Sequence, residues 1–139
     1  MTPRRLLVSV SAAQLAVGLG GLAVALRRRV PYDVPFLHGR PEHVARDSLT
    51  MGTAYSAPVS MLTAQAAAIA RLAAGPSDGA RRALGGLGAT MVLGYLMERS
   101  DRRRLIPSGW DPVETPIAVA GLGLAAAMAV LGHQEGSGA

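Results

Sequence analysis

The sequence predicts an all-α, polytopic membrane protein: a four-transmembrane-helix bundle with short loops and one longer loop between its first and second helices. Three observations carry this. Charge-free runs cover Leu6 to Leu26, Leu49 to Ala70, Ala83 to Met97 and Thr115 to Gly132, and a hydrocarbon core of about 30 Å needs about 20 apolar residues of helix. All 14 basic residues are Arg, and they cluster beside or between those runs, as the positive-inside rule and anionic headgroups favour. Half of the 139 residues are apolar and 17% are charged, too hydrophobic a balance for an ordinary soluble domain. The simplest organisation is a single domain over 1–139 with spans near 4–27, 48–74, 78–99 and 112–132.

The first helix runs from about Pro3 to Arg27, with Pro3 in the first turn, where a missing amide costs nothing. Arg4 and Arg5 ahead of the apolar run, and Ala23-Val24-Ala25 near its end, have the layout of a signal peptide. The length of the run and Arg27-Arg28-Arg29 immediately after it oppose that reading, so a retained helix is expected. The second helix starts near Asp47 or Ser48 and stops before Gly75-Pro76. Within it Thr53, Ser56, Ser60 and Thr63 recur at helical spacing, which places their hydroxyls within about an 80° arc. Pro58 in the same stretch predicts a kink near mid-membrane.

The third helix starts at Ser77 or Asp78 and continues through Glu98, whose carboxylate is set to meet Arg102 one turn on. The fourth carries a variant capping box, with Asp111 at the cap, Pro112 at the first position and Glu114 at the third. It ends at Gly132, and Gln134 to Ala139 read as a frayed polar tail. Helices in lipid associate through small residues that let backbones approach. Such stripes are Ser9, Ala13, Gly21 and Ala25 in the first helix; Gly86, Thr90 and Gly94, with Gly85 and Ala89, in the third; and Gly121, Ala125 and Ala129 in the fourth.

With four spans both termini lie on one side. The first and third loops hold nine of the arginines, so the arginine bias places these loops in the cytoplasm and both termini outside. The chain has no Cys, Lys or Asn, which excludes thiol chemistry, Cys-ligated metals and a Schiff-base lysine. Arg in place of every Lys, with abundant Ala and Gly, is the codon bias of a GC-rich genome and points to a bacterial cytoplasmic membrane. A sequence pI near 11.0 would suggest nucleic acid in a soluble protein; here the arginines flank apolar runs, so no nucleic-acid partner is expected.

The chemistry-bearing residues concentrate in the loops. Candidate acid–base residues are Asp33, His38 and His43 in the first loop, Glu98 at the end of the third helix and Asp111 at the start of the fourth. Their spacing fits no metal-ligand pattern, and neither a metal nor a cofactor is expected. The second helix supplies a candidate cleft lining of Thr53, Tyr55, Ser56, Ser60 and Thr63, with Tyr55 off the main stripe. Arg27, Arg28, Arg29, Arg102, Arg103, Arg104 and Trp110 are expected at lipid headgroups.

Three functions fit these features. The first is a non-enzymatic accessory subunit of a larger membrane complex, or a homo-oligomeric packing and binding module. The second is a membrane-embedded enzyme acting on a lipophilic substrate at the mouth of a polar cleft. The third is a small carrier or channel, which the absence of acidic residues deep in any span disfavours.

Overall fold

The computed structural model describes residues 1–134; Glu135 to Ala139, most of the expected polar tail, lie outside the described residues. The chain is mostly helical, with six α-helices among the described residues: α1 (Pro3–Arg28), α2 (Val44–Asp47), α3 (Val59–Ala74), α4 (Asp78–Met97), α5 (Arg99–Arg104) and α6 (Glu114–His133). The four longer helices pack in a ring, α1 and α4 each lying against both α3 and α6. Two of them, α1 and α6, are long and apolar enough to cross a membrane, with mean hydropathy of 1.8 and 1.9 over their best windows.

Local chemistry explains the helix ends. Thr2 Oγ1 accepts the Arg5 amide at 3.2 Å, and Pro3 follows the cap, which removes one orphan donor and presets the first turn. The helix ends as Arg29 enters the left-handed region at φ 51°, its amide bonded to the Ala25 carbonyl. Ser77 caps α4 through the Ala80 amide. At α6, Asp111 Oδ1 accepts the amides of Val113 at 2.9 Å and Glu114 at 2.8 Å, but the expected capping box does not close: regular helix begins at Glu114, and Thr115 Oγ1, not the Glu114 carboxylate, accepts the Asp111 amide.

Each long helix buries a narrow stripe. In α1 it is Leu7, Ser11, Gln14, Gly18, Gly21 and Ala25, at alternating steps of four and three. In α6 it includes Ala118, Gly121, Ala125, Met128 and Gly132. Gly88 of α4 sits so close to α6 that a Cβ there would stand 2.7 Å from the Ala125 carbonyl oxygen; the small-residue packing of these two helices depends on such positions. At the centre of the ring, Gln65 Nε2 donates to Gln14 Oε1 at 2.9 Å and to the Ser11 carbonyl at 3.0 Å. These fully buried amides tie α3 to α1.

The structure divides the small-residue stripes differently from the sequence. Gly21, Ala25, Gly85, Gly121 and Ala125 are buried, whereas Ser9 and Ala13 of α1 and Gly86, Thr90 and Gly94 of α4 face outward. The second helix also differs: it begins at Val59, not near Asp47. Pro58 has no amide to give and disfavours helical backbone at Ala57, and Gly52 turns the chain at φ 83°. Residues 50–58 therefore form a compact turn, with the Thr53 amide on the Ser56 carbonyl and the Val59 amide on the Ser48 carbonyl. Pro58 stands just ahead of the helix, so the expected mid-helix kink does not form.

The first loop is ordered by a two-residue hairpin, β1 (Asp33–Val34) paired antiparallel with β2 (Leu37–His38). A 3-10 turn at Pro41–His43 then leads into α2. The helical path of α4 breaks at Glu98, whose extended backbone (φ −73°, ψ 118°) separates α4 from α5.

Candidate functional site

Two carboxylate groups, of opposite character, lie at the end of the bundle where α1 finishes and α6 begins. The first is Glu114. Its side chain is 3% exposed, and it accepts Tyr55 Oη at 2.6 Å, Arg104 Nε at 2.6 Å and an Arg28 guanidinium nitrogen at 2.8 Å. Burying a carboxylate is tolerable when charge and hydrogen bonds answer it, and here three segments supply them to this residue of α6: the end of α1, the 50–58 turn and α5. Asp111 adds a second acidic contact to Arg28 at 3.3 Å. The Glu114 and Val113 amides, with Arg28 nearby, hold the Asp111 carboxyl below the usual carboxylate range. Burial and the bond to Glu114 push the Tyr55 phenol upward, so it stays a neutral donor.

The second group is Glu98 and Asp101, one turn apart around the α4–α5 junction. Glu98 is 4% exposed and accepts two backbone amides: Asp33 at 2.9 and 3.0 Å, and Ser100 at 3.3 Å. Burial raises its carboxyl above the ordinary value, and these amides oppose the shift. Asp101 is 2% exposed, and its Oδ1 has no hydrogen-bond partner. Burial, and then the charges of Glu98 and Glu114, push the Asp101 carboxyl up to about 8. Neither Glu98 nor Asp101 has a cationic partner among the described residues.

These two carboxylates close the polar end of a cleft of about 160 Å³ between the 50–58 turn, the start of α3 and the last turns of α4. Its walls are apolar, with Met51, Met61 and Met91 prominent. Thr53 adds a second unsatisfied buried oxygen, Oγ1, on the lining. A dry cavity of about 150 Å³ accepts a benzene-sized guest, so the space suits a small apolar body with a polar head.

The sequence-expected residues distribute unevenly. Asp33, His38 and Glu98 come together, His38 Nδ1 lying 2.9 Å from Asp33 Oδ1 and the Asp33 amide on Glu98. Asp111 joins Glu114, while His43 lies apart, 3.2 Å from Arg46. Glu98 is not paired with Arg102 as expected: the chain break at Glu98 turns its carboxylate to the Asp33 and Ser100 amides.

Of the expected cleft residues, Thr53 and Ser56 line the cleft. Tyr55 is instead committed to Glu114. Ser60 and Thr63 face outward, Thr63 bonding back to the Val59 carbonyl, because the later helix start breaks the four-hydroxyl stripe. Arg28 and Arg104, expected at headgroups, are tied to Glu114, whereas Arg27, Arg29, Arg102, Arg103 and Trp110 are exposed. Sequence reasoning missed Asp101 altogether. Its signal was an acidic residue three positions after Glu98 inside an arginine run, which reads as ordinary surface charge until α5 folds it inward. Among the described residues no three His, Asp or Glu side chains group to hold a metal ion. No family model matches the chain, and no curated protein or solved structure is similar enough to count as a match.

Proposed function

We propose that the chain is a small integral protein of a bacterial cytoplasmic membrane, all four long helices crossing it, and that it serves as a non-enzymatic module binding a lipophilic ligand. The observation that carries the binding role is the apolar cleft ending in the unpaired Glu98 and Asp101 carboxylates. A membrane setting is supported by the outer surfaces of α1 and α6, whose apolar windows are only 28% and 33% buried within the protein. In water those faces would leave large apolar patches; in lipid they need no cover. Leu19, Leu93, Val119 and Val130 are each more than half exposed, on three different helices. The 16 residues of α3 give about 24 Å of helix, short of the core but within the range that local thinning accommodates.

In this reading the first and third loops face the cytoplasm and both termini face outward. The Cys-free chain makes a clean test: single cysteines replacing Thr2 and Phe36 should label from opposite sides of sealed vesicles, and labelling from the same side rejects four spans. Native mass spectrometry of the full chain in mild detergent tests the binding role. A bound small-molecule mass is expected, and a bare protein in every preparation rejects it.

A homo-oligomer is the second reading, favoured by the exposed Gly86 of α4, while Thr90 and Gly94 of the same stripe line the cleft. A Cβ at Gly86 would meet nothing within 4 Å, leaving a shallow surface of the kind that helices in lipid pack against. The same mass measurement reads the subunit number.

A further inference from the structure

The cleft is lined mostly by apolar side chains, yet its lining includes two buried carboxylates without a positive partner among the described residues. A buried carboxylate is normally paired, hydrogen-bonded or neutralised. Glu98 is partly answered by backbone amides. Asp101 keeps one oxygen unbonded at the cleft, and Thr53 Oγ1 is likewise unsatisfied there. The nearby arginines do not supply the missing charge: Arg28 and Arg104 are bound to Glu114, and Arg99 lies 4.0 Å from Asp33. Arg102 and Arg103, on the same short helix, are exposed. What the site lacks is a small cation with donor hydrogens, and what its walls offer is room for a short apolar body.

We infer that the cleft binds a small lipophilic amine as its ammonium ion, with the head at Asp101 and Glu98, the body among the methionines, and one proton leaving Asp101 as the amine enters. This deepens the proposed ligand-binding role and rests on it. Charge is conserved: the protonated carboxyl gives its proton to solvent, the ammonium keeps its own, and a carboxylate–ammonium pair replaces a neutral acid. The groups facing Asp101 are Tyr95 and Glu98 from the α4 side, Glu114 from α6 with its Arg28 and Arg104 partners, and Asp33 from the hairpin through Glu98. The acidic members of this set favour the protonated acid when the cleft is empty, and an incoming ammonium reverses that preference.

Benzylamine and benzyl alcohol are matched probes, nearly equal in shape and differing in charge. Titration calorimetry on the full chain in a nonionic detergent should show benzylamine at least tenfold tighter than benzyl alcohol at pH 8. Repeating the titration at pH 7 in two buffers of different ionisation enthalpy should show release of close to one proton. Affinity for the amine should rise roughly tenfold per pH unit between about pH 5 and 7. Asp101→Asn should remove both the preference and the proton release; the proton count on the unaltered chain needs no variant and stands if that variant does not fold. Equal affinity for the two probes, or no proton release, overturns the inference while leaving a neutral-ligand cleft in place. Binding of neither probe overturns the cleft reading itself. Displacement of benzylamine by added phosphatidylethanolamine would reassign the ammonium site to a lipid headgroup and overturn the small-amine assignment.

Discussion

Glu114 and Asp101 lie at the same end of the protein, near enough that the charge of one raises the carboxyl of the other, yet they are built in opposite ways. Glu114 has three donors: a phenol and two guanidinium groups. Asp101 is as deeply buried and has an oxygen with nothing to bond. A carboxylate whose neighbours all answer it is a joint, holding α1, the 50–58 turn, α5 and α6 in place. One left unanswered at the end of an apolar cleft destabilises the empty protein and is suited to a ligand that supplies what is missing. The difference separates structural acid from site acid without any appeal to sequence position.

The largest way to break the comparison is to empty the joint. Glu114→Ala leaves Arg28, Arg104 and Tyr55 without their common acceptor, and removing one member of a buried pair costs about 3 kcal/mol. Thermal unfolding in detergent should show a drop of roughly 10 °C; an unchanged midpoint would mean that the joint is not structural. Gly21→Ala attacks the same joint from behind. A methyl at Gly21 would collide with the Tyr55 carbonyl, pushing the 50–58 turn away from α1, at a cost of about 2 kcal/mol. The same variant should lower probe binding, because Thr53 rides on that turn.

Asp101 should respond in the opposite direction. Burial, with the charges of Glu98 and Glu114, pushes its carboxyl up to about 8 in the folded chain from an ordinary 3.8, so between those values the folded state holds a proton that the unfolded state has lost. The contribution of this group to stability is therefore full below about pH 4, declines as pH rises towards 8, and is flat above that. Asp101→Asn, which keeps the shape and cannot ionise, should raise the unfolding midpoint by about 3 °C at pH 8 and do little near pH 4. Destabilisation at pH 8 would show that the charge has a partner in the folded chain.

Much of the architecture was legible because it depends on local chemistry. Apolar runs and flanking arginines placed α1, α4 and α6, and the Ser77 and Asp111 caps marked the starts of the last two. The second helix was misread since helical spacing alone cannot show that Pro58 begins a helix instead of bending one; Gly52 and the Thr53–Ser56 turn decide that through contacts with α1. The sequence singles out Asp33 in the first loop, Glu98 at the end of the third helix and Asp111 at the start of the fourth, but which acid is paired is not readable from it. That pairing is set by contacts between residues more than 50 positions apart, as from Tyr55 to Glu114 and from Asp33 to Glu98. Asp101 stayed hidden because four of its five neighbours on α5 are arginines, which the fold turns outward or towards Glu114 and Asp33.

The smallest expected effect sharpens where the site ends. His38 is one of the candidate acid–base residues of the first loop, and the hairpin sets it beside Asp33 at 2.9 Å. Its side chain is nonetheless 66% exposed, and an exposed pair of this kind contributes less than about 1 kcal/mol. Glu98 is held by the Asp33 backbone amide, which does not depend on the imidazole. His38→Ala should therefore shift stability by under about 0.5 kcal/mol and leave benzylamine affinity and proton release unchanged within error. Val34 of the hairpin already lines the cleft, and a clear loss of either would extend the site from there through Asp33 to the imidazole.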